Sequence, residues 1–96
     1  MARARSARVR LPATLKIGEV RAFKEELTKR LDRERITLDG AAVERIDGAG
    51  LQLLAAFLRA VDARGGRAEW RRPSAALREA AARCGLADAL KLDTES

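Results

Sequence analysis

Three short segments of the chain alternate apolar and polar residues, which is the period of a half-buried β-strand. Each segment also stops at a proline or a glycine, residues that interrupt strands. The segments are residues 9–11 before Pro12, residues 35–39 before Gly40, and residues 67–72 before Pro73. The pattern therefore predicts three strands, the first of them a short edge strand.

Between and after these strands, apolar residues recur every three or four positions, which is the period of an amphipathic helix. The apolar face of the first helix comprises Ile17, Val20, Phe23, Leu27 and Leu31, and the helix is expected to extend to about Arg33. The second is expected from Leu51 to Arg64, before Gly65-Gly66, and the third over residues 75–84, with Ser74 as N-cap and Gly85 as stop.

Strands that alternate with helices of this length are joined by crossovers, which favours parallel strand pairs. We therefore predict a single α/β domain over residues 9–92, with a mixed, mainly parallel sheet and helices packed against it. Residues 1–8 are expected to form a basic flexible arm, and residues 93–96 a frayed C-terminus. Leu86, Leu90 and Leu92 are expected to pack a last turn against the core.

The second helix has two contrasting faces. One broad arc is apolar and is expected to face the core; it holds Leu51, Leu54, Phe57, Leu58 and Val61, with Leu53 and Ala60 at its edge. The opposite stripe holds Gln52, Ala56, Arg59 and Ala63. Its alanines would let another protein approach closely, and Gln52 and Arg59 could donate directional hydrogen bonds. An ordinary solvated helix face explains the pattern equally well.

Charge is distributed unevenly along the 96 residues, which carry a formal net charge of +6. The first 16 residues hold five bases and no acid, whereas residues 17–96 hold 15 bases and 14 acids. A basic segment of this kind can bind nucleic acid or an anionic membrane by releasing counterions. The rest of the chain argues against nucleic acid, because it has only three aromatic residues and no arginine-rich helix.

Residues that commonly carry catalysis or metal binding are scarce. The chain has no histidine, no tyrosine and one cysteine, and neither that cysteine nor the few serines and threonines have a general base beside them. We therefore expect no enzyme activity, no metal site and no cofactor. The cysteine, Cys84, shares a helix face with Leu77 and Ala81 and is expected to be a small buried residue.

The sequence predicts neither a transmembrane helix nor a signal peptide. The longest apolar run, Leu53 to Leu58, is far shorter than the roughly 20 residues that cross a bilayer. The basic start of the chain is not followed by the apolar stretch of about 7 to 15 residues that a signal peptide carries. A cytoplasmic location is therefore the expectation.

The tetrapeptide Asp47-Gly48-Ala49-Gly50 leads into the second helix. Glycines at a helix N-terminus can cradle a phosphate, but both nucleotide-binding glycine patterns and a nearby lysine are missing here. The simpler interpretation is that Asp47 caps the helix and that the glycines permit a tight turn.

The residues around this turn resemble the signature of the STAS domain family, the sulfate transporter and anti-sigma factor antagonist domain. The similar run is Thr37-Leu38-Asp39-Gly40 followed by residues 43–54, VERIDGAGLQLL. Trp70, residues 73–77 and Gly85-Leu86 are similar to the tail of small free-standing bacterial STAS proteins, some of them encoded beside chemotaxis genes. The resemblance covers about Val9 to Leu92 and implies the STAS fold.

The resemblance also implies a non-enzymatic module that binds a protein partner through the turn and the following helix. In anti-sigma factor antagonists of the family, phosphorylation of a serine or threonine just after the turn aspartate releases the partner. That position is Gly48 here, and the neighbouring Ala49 also lacks a hydroxyl, so this switch cannot operate on the turn. The partner-binding residues are then expected to be Asp47, Gly48, Ala49, Gly50, Gln52, Ala56 and Arg59.

Three functions are compatible with these residues. The first is an unswitched interaction module in bacterial signal transduction, in chemotaxis or partner switching, with an anti-sigma-type kinase or a chemotaxis signalling protein as its partner. The second is an accessory subunit of a lipid-transport ABC system, since other small STAS proteins bind the transporter ATPase. The third, from a different class, is binding of nucleic acid or an anionic membrane through residues 1–16.

Overall fold

Strands and helices alternate along residues 6–92, the part of the chain that the structure, a computed structural model, describes. In chain order the elements are β1 (Ser6–Arg10), β2 (Thr14–Leu15), α1 (Ile17–Thr28), β3 (Arg35–Asp39), β4 (Arg45–Ile46), α2 (Gly48–Ala63), β5 (Arg67–Arg71) and α3 (Ala75–Arg83). Each of the three longer strands is separated from the next by a helix, as the sequence pattern predicts.

The longer strands form one sheet in the order β1-β3-β5, and both neighbouring pairs are parallel. The two short strands, β2 and β4, form a second parallel pair. This arrangement confirms the predicted α/β class with a mainly parallel sheet. The β2–β4 pair is absent from the sequence prediction, because two residues carry too little alternation to be recognised.

The sheet is apolar on one face, and the helices cover that face. Val9, Ile36, Leu38 and Ala68 are buried there and share a single core with the buried side chains of all three helices. The five residues named in the centre of the apolar arc predicted for α2 are buried, and Leu53 and Ala60 at its edge are half-buried. Full burial of such a leucine or valine contributes about 1.5 to 3 kcal/mol, so this arc is a main source of stability.

The first helix is shorter than predicted, ending at Thr28 instead of about Arg33. Beyond it, the N–H groups of Arg30, Leu31 and Arg33 bond to carbonyls three residues back, which gives tighter turns than an α-helix. Leu31 remains packed against the core through these turns. The apolar period therefore continues past the true end of the helix.

Two side chains expected to be buried are exposed. Ile17, placed on the apolar face of α1, has 73% of its surface exposed because it is the first residue of that helix and lies beyond the core. Cys84 is also exposed. The third helix ends one residue before Cys84, and Gly85 adopts a positive φ of 71°. The Leu86 N–H bonds back to the Ala81 carbonyl, and Leu86, not Cys84, packs against the core.

The structure also refines the predicted ends of the domain. β1 begins at Ser6, because residues 6–8 pair with residues 35–37 of β3, so these three residues belong to the sheet and not to the predicted arm. The arm over residues 1–5 and the frayed C-terminus over residues 93–96 lie outside the described residues. Leu90 and Leu92 are buried and Leu86 is half-buried, in agreement with their predicted packing.

Candidate functional site

Two helix N-termini lie side by side at one end of the protein. The β2–β4 pair aligns Leu15 with Ile46, and both strands lead almost directly into a helix, α1 at Ile17 and α2 at Gly48. The turn before α2 therefore lies beside the start of α1. The first N–H groups of both helices need acceptors, because no preceding turn supplies them.

Asp47 supplies an acceptor to each helix. Its Oδ1 accepts a hydrogen bond from the Gly50 N–H at 3.0 Å and caps α2, as predicted. Its Oδ2 accepts from the Ile17 N–H, also at 3.0 Å. The Gly50 N–H contributes most to holding the pKa of Asp47 below its usual value, with help from the N–H groups of Ile17 and Ala49 and from Lys16, although burial acts in the opposite direction. The site thus contains an ionised carboxylate whose hydrogen bonds go to the backbone.

The two glycines of the turn have different surroundings. A Cβ at Gly50 would collide with the carbonyl oxygen of Leu15 and with the Ile46 side chain, so glycine lets α2 approach β2 closely. A Cβ at Gly48 would meet nothing within 4 Å. Gly48 is exposed, Ala49 is half-buried and Gly50 is buried. A partner at the turn would therefore contact Gly48 and part of Ala49. Gly50 lies on the buried side of the turn, packed against Leu15 and Ile46.

The stripe predicted on α2 is exposed. Gln52, Ala56, Arg59 and Ala63 all lie on the side away from the core. The surface beside Ala56 is not flat, because an apolar groove of about 240 Å³ runs between α1 and α2 and is lined in part by Leu31, Leu53 and Ala60. A helical wheel treats each helix alone, so it could not reveal a groove between two of them.

Ile17 and Gly18 extend this surface onto α1, although the sequence pattern did not include them in the site. Their position follows from the hydrogen bond between the Ile17 N–H and Asp47. A Cβ at Gly18 would meet no atom within 4 Å, so the backbone there is open to approach. The one feature of the sequence that could have suggested an exposed Ile17 is its position as the first residue of the helical pattern.

A second ionised group lies at the carboxyl end of the sheet. Asp39 is buried, accepts from the Ala41 N–H at 3.1 Å and forms an ion pair with Arg72 at 3.4 Å. The Ala41 N–H is the main cause of the lowered pKa of Asp39, and Arg72 and Arg10 act in the same direction against burial. These contacts join the end of β3 to the chain just after β5.

Two kinds of site are absent from the part of the chain that the structure describes. Within residues 6–92, no group of three or more histidine, cysteine, aspartate or glutamate side chains could hold a metal ion. None of the helices in this range is long and apolar enough to cross a membrane. The turn and the stripe present an exposed surface on which the hydrogen-bonding side chains of Gln52 and Arg59 lie on either side of Ala56.

Comparisons with known proteins agree on one fold. A family model described as Mlab, STAS domain matches residues 2–93. The unphosphorylated form of the anti-sigma factor antagonist SpoIIAA matches with a TM-score of 0.72 and 20% identity, covering 92% of this chain and 79% of that chain. A sulfate transporter family protein from Wolinella succinogenes matches with a TM-score of 0.71 and 22% identity, covering 88% and 70%.

The phosphorylated form of the Bacillus protein SpoIIAA gives a TM-score of 0.69 at 20% identity, covering 92% of this chain and 82% of that chain. No curated protein sequence matches significantly. At such identities the structural matches show a shared fold, while the family match rests on the sequence over nearly the whole chain.

Proposed function

The chain belongs to the STAS domain family, and from this membership we propose that it is a non-enzymatic protein-interaction module. Its docking surface is the accessible part of the turn, residues 47–49, together with the exposed stripe of α2, while the buried Gly50 shapes the turn without contacting the partner. The observation that carries the proposal is the contrast between the two sides of α2. One side packs against the core, and the other is exposed directly beside the turn.

The chemistry of the stripe suits a protein partner. Ala56 is small and borders the apolar groove, so a partner side chain could enter beside it. Gln52 and Arg59 lie on either side of Ala56 along the exposed stripe and carry donors that give an interface direction. A small apolar centre with polar groups at its rim is the usual anatomy of a protein interface.

The turn also suggests that binding is not switched by phosphorylation. SpoIIAA has a phosphorylated form. In this chain, Gly48 and Ala49 have no hydroxyl that a kinase could phosphorylate. Our leading proposal is therefore an always-competent module of bacterial signal transduction in the cytoplasm, in chemotaxis or partner switching. Its partner would be an anti-sigma-type kinase or a chemotaxis signalling protein.

A second candidate is an accessory subunit of a lipid-transport ABC system that binds the transporter ATPase. The lack of a hydroxyl favours it, because a permanently bound subunit needs no release switch. Both candidates use the same surface and differ in the partner.

The test is capture of the partner by the wild-type chain and by Ala56→Arg. The long charged side chain would enter a contact made for a methyl group, so we expect capture to be lost while circular dichroism and the melting temperature stay close to wild type. Mass spectrometry of the protein that the wild type retains distinguishes a kinase, a chemotaxis protein and a transporter ATPase.

Two control variants accompany this test. Ala82→Arg makes the same change at an exposed position of α3, and Lys29→Ala removes an exposed side chain after α1; both should retain the partner. Undiminished affinity of Ala56→Arg for the purified partner would show that the surface is assigned wrongly. Loss with Lys29→Ala alone would move the surface to α1.

A further inference from the structure

The face of the β1-β3-β5 sheet that points away from the core is rich in arginine. Side chains of residues that pair across parallel strands point to the same side of the sheet. The register therefore places three rows on this face: Ser6, Arg35 and Arg67; Arg8, Thr37 and Glu69; Arg10, Asp39 and Arg71. We call the five arginines of these rows, Arg8, Arg10, Arg35, Arg67 and Arg71, the arginine face.

The arginine face is open and its charge is poorly neutralised. All five arginines are exposed, and no ion pair found among the described residues involves any of them. Asp39 is buried and paired with Arg72, and it also interacts with the charge of Arg10, so it offsets part of the positive charge at one end of this face. Glu69 is the one exposed acid among the nine positions of the three rows. The nine positions thus hold five basic and two acidic residues, which leaves a local excess of positive charge.

We propose that the arginine face binds an anionic lipid surface. Guanidinium groups offer planar, bidentate donors that match phosphate oxygens, and here they project from one side of a sheet. Their arrangement is two-dimensional, spread over three adjacent strands instead of along one line. A layer of phospholipid headgroups is a two-dimensional array of phosphates, so it can engage all five guanidiniums together.

A lipid surface fits this face better than a nucleic acid does. Proteins that bind single strands on a sheet stack bases on aromatic side chains. Phe23 and Phe57 are buried in the core, and Trp70 pairs with Leu38 on the apolar side and donates from Nε1 to the Leu90 carbonyl at 2.7 Å. The arginine face therefore has no aromatic platform, and a sheet face of this breadth does not enter a duplex groove.

The lipid surface and the proposed protein partner would occupy opposite sides of the molecule. The stripe of α2 faces away from the sheet, because the opposite arc of that helix packs on the core. Both sites could then be filled at once, with the chain holding its partner at a membrane. Since no apolar side chain occupies the three rows of this face, the attachment is electrostatic, reversible and weakened by salt.

The test measures partition of the full chain onto vesicles of phosphatidylglycerol and phosphatidylcholine, with vesicles of phosphatidylcholine alone as reference. Wild type should bind the anionic vesicles and dissociate as salt is added. The double variant Arg35→Gln/Arg67→Gln should lower the partition coefficient roughly 25-fold, since each basic residue near an anionic surface contributes about fivefold. Arg21→Gln/Arg83→Gln, which removes the same charge from α1 and α3, should retain most of the binding.

Three results would overturn the proposal. One is equal loss of binding in both double variants, which would indicate net charge alone. Another is loss with Arg3→Gln/Arg5→Gln but not with the arginine-face variant, which would assign binding to residues 1–5. The third is tight binding of single-stranded RNA by the arginine face without binding to vesicles. Ala56→Arg should bind vesicles like wild type, so this proposal and that of the protein partner can fail separately.

Discussion

The Asp47 carboxylate accepts a hydrogen bond at 3.0 Å from the backbone N–H of Ile17, which lies 30 residues earlier in the chain. Its other oxygen caps α2 at the Gly50 N–H. One side chain thus sets the relative position of two helix starts, and the proposed docking surface extends over both. The geometry of this surface therefore depends on the ionisation of a single group.

We expect the stability of the Asp47→Asn variant to change less than that of wild type as pH is lowered. The pKa of Asp47 is lower in the folded state than its ordinary value of 3.8, chiefly because of the Gly50 N–H. The stabilisation is therefore fully present above the ordinary value and is lost as pH falls through the lowered one. The asparagine amide can still cap α2, but its NH₂ cannot accept from Ile17. The variant should melt below wild type at neutral pH.

Melts of both proteins from neutral to acidic pH check this expectation. The difference in melting temperature should shrink as the medium becomes more acidic than the ordinary aspartate pKa. Glu34→Gln, a change at an exposed carboxylate, serves as the control and should follow wild type. A difference between Asp47→Asn and wild type that is independent of pH would contradict the role given to the ionised carboxylate.

The two bonds of Asp47 illustrate how far sequence reasoning could reach. The cap of α2 spans three residues, so it can be predicted from residue type and position alone. The bond to Ile17 depends on the β2–β4 pair, whose two-residue strands carry no usable period. The strand at residues 35–39 and the apolar arc of α2 were predictable for the opposite reason, since each repeats its pattern over several residues.

Errors in the prediction are concentrated at helix ends. The periods of α1 and α3 include Ile17 and Cys84, yet these two residues lie at a first turn and at a C-cap, where burial no longer follows the period.

The arginine face has a visible period of two, as in Arg8 and Arg10. The arginines of the three strands lie on one surface only because the strands pair in parallel and in this register, and the sequence of a single strand does not predict that pairing.

We expect Gly50→Ala to destabilise the fold by about 1 to 3 kcal/mol, the usual cost of overpacking. The added Cβ would collide with the backbone carbonyl of Leu15, which cannot move aside as a flexible side chain can. Gly48→Ala is the matched control, because its Cβ would extend into open space. Urea unfolding of both variants checks this, and equal stability of the two would show that α2 does not approach β2 so closely.

Leu54 and Leu58 lie at the centre of the buried arc of α2, and both are almost fully inaccessible. Truncating either to alanine should lower the free energy of unfolding by about 2 to 5 kcal/mol, enough to unfold a marginally stable small domain. Arg59→Ala, on the exposed stripe, should change it by no more than about 0.5 kcal/mol. Thermal melts in which the leucine variants match wild type would mean that the other face of the helix is inside.

The last prediction concerns the missing switch. Wild type incubated with an anti-sigma-type kinase should gain no phosphate on residues 47–52, because this segment contains no hydroxyl. Gly48→Ser restores one at the first position of α2, where there is room for the side chain and where the helix N-terminus favours negative charge. Intact-mass measurement should show partial phosphorylation at most, since the kinase must also recognise the surrounding surface. A phosphate on the wild-type turn, necessarily on Asp47, would contradict the proposal that binding here is unswitched.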